Sequence, residues 1–138
     1  MPYIASEERE RAKDAPRTPG ELNYAITLCF IKAYRGTVML PQISLRMGVF
    51  RGDVARLIRY YWSEKVQNYT TINDIYGAIA CSLLEFRRRA DGQNFGPMEL
   101  LRRSIARALS RVVDDFYAEV VVPYENTKIR ENGDVYPT

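Results

Sequence analysis

Leu40 to Arg59 read LPQISLRMGVFRGDVARLIR, and the way this stretch is divided decides what kind of helical protein the chain makes. The run fits a twenty-residue helix-turn-helix template. Counted from Leu40, apolar residues fall at the fourth, eighth, tenth, fifteenth and eighteenth places, as Ile43, Met47, Val49, Val54 and Leu57. The fifth place, where two helices would cross, holds the small Ser44, and the ninth holds Gly48, which tolerates a left-handed turn. A second helix would then show Phe50, Arg51, Gly52, Ala55, Arg56 and Arg59 to a major groove, where arginine can take guanine edges or phosphates. Two residues fit poorly: Phe50 stands where a capping serine or threonine is usual, and Asp53 would face phosphates with the wrong sign. The competing reading is an ordinary helical hairpin whose arginines form a solvated face.

Outward from this stretch the pattern stays helical. Ser6 to Asp14 reads as a short polar helix. Thr18-Pro19-Gly20-Glu21 is a helix start, with threonine as cap, proline at the first position and glutamate three residues on. Leu22, Ala25, Ile26, Cys29, Phe30 and Ala33 follow at three- and four-residue spacing, and Gly36 offers an end. Val54, Leu57, Ile58, Tyr61 and Trp62 mark a helix over 51–66. Thr71-Ile72-Asn73-Asp74 resembles a capping box, opening a helix that Ile72, Ile75, Tyr76, Ile79, Leu83 and Phe86 carry to about Arg88. A loop over 90–97 precedes the longest helix, whose stripe is Leu101, Ile105, Ala108, Leu109, Val112, Phe116 and Val120. Pro123 should kink or end it, and Asn132-Gly133-Asp134 should close the last turn. No strand pair stands out. The expectation is an all-α single domain over 1–138, a compact bundle of about five helices.

Composition bounds the chemistry. The 138 residues are 46% hydrophobic and 27% charged, enough for a core without disulfides or metals. There is no histidine, so triads of the usual kind are excluded. Cys29 and Cys81 each sit in an apolar helical stretch and read as buried free thiols. The start, MPYIASEERERAKD, is charged where a signal peptide would be apolar, and no run reaches membrane-spanning length. The expected setting is therefore the cytoplasm or a virion, with no membrane contact.

The net charge of +3 is unevenly spread. Residues 37–112 carry twelve basic against six acidic residues, whereas 113–138 carry two against six. Sixteen of the twenty basic residues are arginine, whose planar fork suits phosphate and carboxylate. Arg103, Arg107 and Arg111 recur every four residues as one stripe, with Arg102 beside it and Arg87, Arg88 and Arg89 on the preceding helix. A polyanion could meet this middle, or the chain could pair head to tail with itself as a homo-oligomer. The alternative is a solvated face of internal salt bridges.

Ten tyrosines are many for this length; Tyr60, Tyr61, Trp62 and Tyr69 cluster beside the arginines and could stack on bases, anchor an interface or pack in the core. Carboxylates do not make a metal site: Glu85 is alone on its helix, and Glu119, Glu125 and Glu131 flank the Pro123 break. With no paired glutamates, phosphate loop or nucleophile elbow, no catalytic residue, metal or cofactor is expected.

Four pieces carry a family resemblance: MPYI at the start, TPGELNYAIT from Thr18 to Thr27, YTTINDIYGAI from Tyr69 to Ile79, and VVVPYENTKIRENGDVY from Val120 to Tyr136. They resemble a family of small phage and prokaryotic proteins with a domain of unknown function. The motif positions are Asn23, Tyr24, Asn73, Gly77, Glu85, Pro123, Tyr124, Glu125, Asn132, Gly133 and Asp134, and Ala80 stands where the family usually has glutamate. Family members are shorter, which implies insertions over 37–66 and 89–114, both basic. The resemblance implies a helical scaffold and a phage-type origin but no activity. The function expected is a non-catalytic binding protein that contacts nucleic acid through Arg51, Arg56, Arg59, Arg103, Arg107 and Arg111. The alternatives are a virion or host-takeover adaptor meeting an acidic protein surface, and a pocket that sequesters a phosphorylated nucleotide.

Overall fold

A computed structural model describes residues 4–35, 40–90 and 97–136. Its helices are α1 (Ser6–Ala12), α2 (Pro19–Tyr34), α3 (Leu40–Glu64), α4 (Tyr69–Ala90), α5 (Pro97–Phe116) and α6 (Val122–Asn132). One π-helical turn, Tyr117–Val121, joins the last two. Among the described residues there is no strand, and the fold is a compact all-α bundle. No helix among them is long and apolar enough to cross a membrane.

The start of α2 forms as its sequence dictates. Thr18 is extended, and its Oγ1 accepts the Glu21 backbone N–H at 3.1 Å, with Pro19 in the first turn. Glu21, its side chain largely covered, accepts from both terminal nitrogens of the Arg11 guanidinium, at 2.9 and 2.7 Å, which clamps α1 onto α2. That guanidinium is the main reason the Glu21 carboxyl lies below the usual carboxylate range. All six stripe residues of α2 are buried. Gly36, read as the helix end, lies outside the described residues, as do positions 91–96 of the loop.

The helix-turn-helix reading is overturned. Residues 40–64 are one continuous helix, and Gly133 is the only described glycine with positive φ. The helical hairpin falls with it: Met47, Phe50, Val54, Leu57, Ile58 and Tyr61 form a single unbroken buried stripe on one helix. Phe50, expected at the groove surface, is 2% exposed, whereas Val49, expected in the core, is 48% exposed. A glycine inside a helix costs only about 1 kcal/mol relative to alanine, less than breaking that stripe. The helix read over 51–66 therefore runs from Leu40 to Glu64.

Two further expectations shift by small steps. The cap of α4 is Asn68, whose Oδ1 accepts the Thr71 N–H at 3.0 Å, so the helix starts ahead of the Thr71 box. Near Pro123 the chain does not stop but passes through a π-helical turn into α6. Proline has no N–H and its ring crowds the carbonyl four residues back; a widened turn accommodates both, with the Val122 N–H reaching the Tyr117 carbonyl. The extra residue advances the buried phase by one. Val121 is buried and Val120 only partly so. At the far end Gly133, with φ of 85°, donates its N–H to the Ile129 carbonyl at 2.8 Å and closes α6 as read.

The core lies where α2 packs against α3 and α4, and α3 against α5. Phe30 stacks on Phe86 with ring centroids 4.8 Å apart, and Trp62 meets Phe116 and Tyr124 edge-on at 6.4 and 5.9 Å. Cys29 is buried as expected; Cys81 is exposed, because it sits on the outer face of α4 between the buried Ile79 and Ser82.

Burial gives this core an alkaline limit. Burial first, then the Asp53 charge, pushes the Cys29 thiol up to about 12. Burial first, then Asp74, pushes the Tyr61 phenol up to about 12, its hydroxyl donating to the Asp74 carboxylate at 3.3 Å. Both groups hold their protons more tightly folded than unfolded. Their contribution is thus complete below the ordinary values of 9.0 and 10.0 and is lost as pH rises toward 12. Thermal melts by circular dichroism should show the melting temperature falling steadily from pH 9 upward. The fall should be shallower in a Cys29→Ala/Tyr61→Phe variant; an equally steep fall would place the limit elsewhere.

Candidate functional site

The packing of α3 on α5, which run in the same direction with Arg59 beside Glu119 and Trp62 beside Phe116, sets small residues, Gly52 and Ala55, beside the α5 surface. A groove of about 280 Å³ opens there, lined in part by the buried Ile58, Val112 and Phe116. Arg51 and Arg59 rise from α3 and Arg111 from α5; Asp115 and Glu119 complete the rim. A Cβ added at Gly52 would meet nothing, so backbone and groove are open to a ligand. Arg59 is held by an ion pair with Glu119, which fixes its head at the groove edge. Arg51 and Arg111 have no ion pair among the described residues.

The other predicted arginines lie elsewhere. On a helix of roughly 100° per residue, Arg51 and Arg59 are about 80° apart, but Arg56 is about 140° from Arg51. Arg56 accordingly turns toward the start of α2, donating to the Asp14 carbonyl at 3.4 Å with the Asp14 carboxylate at 3.7 Å. The α5 stripe winds as well, by roughly 40° per four residues. Arg103 faces a second hollow between α4 and α5 beside Arg87, and pairs with Glu99 at 3.0 Å. Arg107 is exposed, lines neither hollow, and has no ion pair among the described residues. The structure therefore brings together Arg51, Arg59 and Arg111, and leaves Arg56, Arg103 and Arg107 outside that groove.

Several motif positions have structural work. The Asn23 carbonyl accepts from Thr27 at 2.8 Å and from buried Ser82 at 3.3 Å, tying α2 to α4. Tyr24 is half-buried on α2, and Gly77 is exposed with nothing near its Cα face. Glu85 bonds Arg88 and Arg89, and these guanidiniums bring its carboxyl down to about 2. Pro123 stands in the first turn of α6, and Tyr124 packs edge-on against Trp62 and Tyr69. Asn132 ends α6 beside Gly133, and Asp134 accepts the Tyr136 N–H at 3.1 Å.

Sequence reasoning missed a second site altogether. Asn73 and Glu125 meet Tyr69, Tyr76, Asp114 and Tyr117 around a hollow of about 510 Å³ where α4 passes the π turn. The high tyrosine count and the motif positions Asn73 and Glu125 were its signals, but nothing in their spacing brought them together. No group of three or more acidic, cysteine or histidine side chains able to hold a metal occurs among the described residues. Comparison with protein-family models, curated proteins and solved structures found no match to the chain.

Proposed function

We propose that the protein is a non-catalytic, phage-type binding protein that grips the phosphate backbone of nucleic acid at the α3–α5 groove. The observation that carries this reading is the convergence of Arg51, Arg59 and Arg111 over the small floor of Gly52 and Ala55. Guanidinium forks match phosphate oxygens, and a floor without bulk lets the strand approach closely. The groove has no exposed ring on which a base could stack and no projecting helix tip to enter a major groove. It can position a backbone without reading sequence. The absence of stacking surface also disfavours the mononucleotide pocket. The resemblance of the chain ends to phage proteins supports a host-cell or virion setting, and a homo-oligomer would multiply the arginines offered to one strand.

A mixed-sequence duplex titrated at several salt concentrations tests this by fluorescence anisotropy. Three phosphate contacts give a slope of log K against log salt near about −3. No retention at low salt, or a strong preference for one sequence, would contradict it.

A second reading, an adaptor acting through protein contacts, is favoured by Leu45 and Val49. They stand one turn apart on α3, 73% and 48% exposed. Light scattering that shows a stable oligomer indifferent to nucleic acid would favour the adaptor.

A further inference from the structure

The hollow beside the π turn has a chemistry opposite to that of the arginine groove. Tyr69, Asn73 and Tyr76 recur at helical spacing along one face of α4, so they line a single wall. Asp114 and Tyr117 form the facing wall, and Glu125 closes one end from α6. Three phenol rings, one amide and two carboxylates thus line a hollow of about 510 Å³ together with the aliphatic Ile72, Val113 and Val121, and no basic residue lines it. The Tyr76 hydroxyl is buried without a hydrogen-bond partner, leaving both donor and acceptor capacity unused.

We propose that this hollow binds an alkylammonium group, of the kind carried by a free aliphatic diamine or by a lysine side chain. Tyrosine faces attract an ammonium ion through the ring quadrupole, most strongly where water is thinned out. The two carboxylates supply the charge, and Asn73 supplies an amide oxygen for one of the three N–H donors. A hard divalent metal ion would want six or more oxygens close together, whereas rings and aliphatic side chains make up most of this lining.

The electrostatics of the walls agree. Burial first, then Tyr117, Asp114 and Glu125, holds the Tyr76 phenol above its ordinary value, with no cation acting the other way. Tyr69 is raised by burial, then by Glu125 and Tyr124, while Lys128 pulls it down. Lys128 itself is engaged outside the hollow, over the Tyr124 ring at 5.5 Å and with Glu131 at 3.4 Å. A negative space with aromatic walls is what an organic cation requires. The site stands independently of the nucleic-acid reading, since it shares no residue with the α3–α5 groove.

Calorimetric titration of the full chain with putrescine, N-acetyl-lysine methylamide and magnesium chloride tests the proposal. The single tryptophan, Trp62, gives a second readout through the chain of rings from Tyr69 by way of Tyr124. Putrescine or the lysine analogue should bind and magnesium should not; the tighter of the two organic cations identifies the source. Glu125→Gln and Asp114→Asn should each weaken binding about tenfold, and Tyr69→Leu by several fold. All three lie at a partly open wall, so circular dichroism should show the fold intact. Arg56→Ala should leave binding unchanged. No heat up to millimolar putrescine and lysine analogue, equal response to magnesium, or indifference to Glu125→Gln would overturn the proposal.

Discussion

Phe116→Ala is expected to remove about 3–5 kcal/mol of folding stability, the range for truncating a fully buried aromatic ring. Phe116 is 1% exposed and closes α5 just before the π turn. Its ring meets Trp62 edge-on at 6.4 Å and Tyr76 at 6.1 Å, so it joins α3, α4 and α5 in one contact. Trp62 cannot simply move in to fill the space, because it also packs edge-on against Tyr124. A domain of this size has roughly 5–15 kcal/mol in total, so the variant should melt more than about 10 °C lower. Urea unfolding followed by Trp62 fluorescence measures it. A loss below about 1 kcal/mol would mean that the ring is not where α3 and α5 join.

The second large effect is on binding. Arg51→Glu combined with Arg111→Glu replaces two phosphate-facing cations by anions without breaking any ion pair among the described residues. Two lost contacts and two repulsions should lower duplex affinity at low salt by on the order of 100-fold, with the salt slope shallower by about 2. Arg56→Glu changes the total charge by as much per residue but faces Asp14 instead. Screening over about 10 Å at ordinary salt should hold its effect below about threefold. Equal losses from the two faces would mean that only net charge matters.

Most of the bundle was legible because local and global preferences agree. The Thr18 cap and the stripe from Leu22 to Ala33 need only near neighbours to be recognised, and the stripe from Leu101 to Phe116 likewise. The division of residues 40–64 was not legible. Gly48 satisfies both a turn template and a helix, and only the partner faces on α2 and α5 decide between them. Nor was the π turn: Pro123 signals trouble in the helix, but whether the chain kinks, stops or widens depends on keeping Val121 rather than Val120 in the core. The arginine site was half legible. Sequence identified the residues, yet Arg56 and Arg103 share a helix with their neighbours while pointing into different company. The tyrosine hollow joins residues from three elements across the π turn, a juxtaposition that no spacing along the chain announces.

The most direct test of the groove is a ¹⁵N–¹H correlation spectrum recorded while a short mixed-sequence duplex is added at low salt. Amide shifts should gather at Arg51, Gly52, Ala55, Arg59 and Arg111, fade as salt is raised, and spare Asn73 and Glu125 at the tyrosine hollow. Shifts centred on Arg56 and Asp14, or an unchanged spectrum at saturating duplex, would contradict the assignment of the α3–α5 groove as the phosphate site.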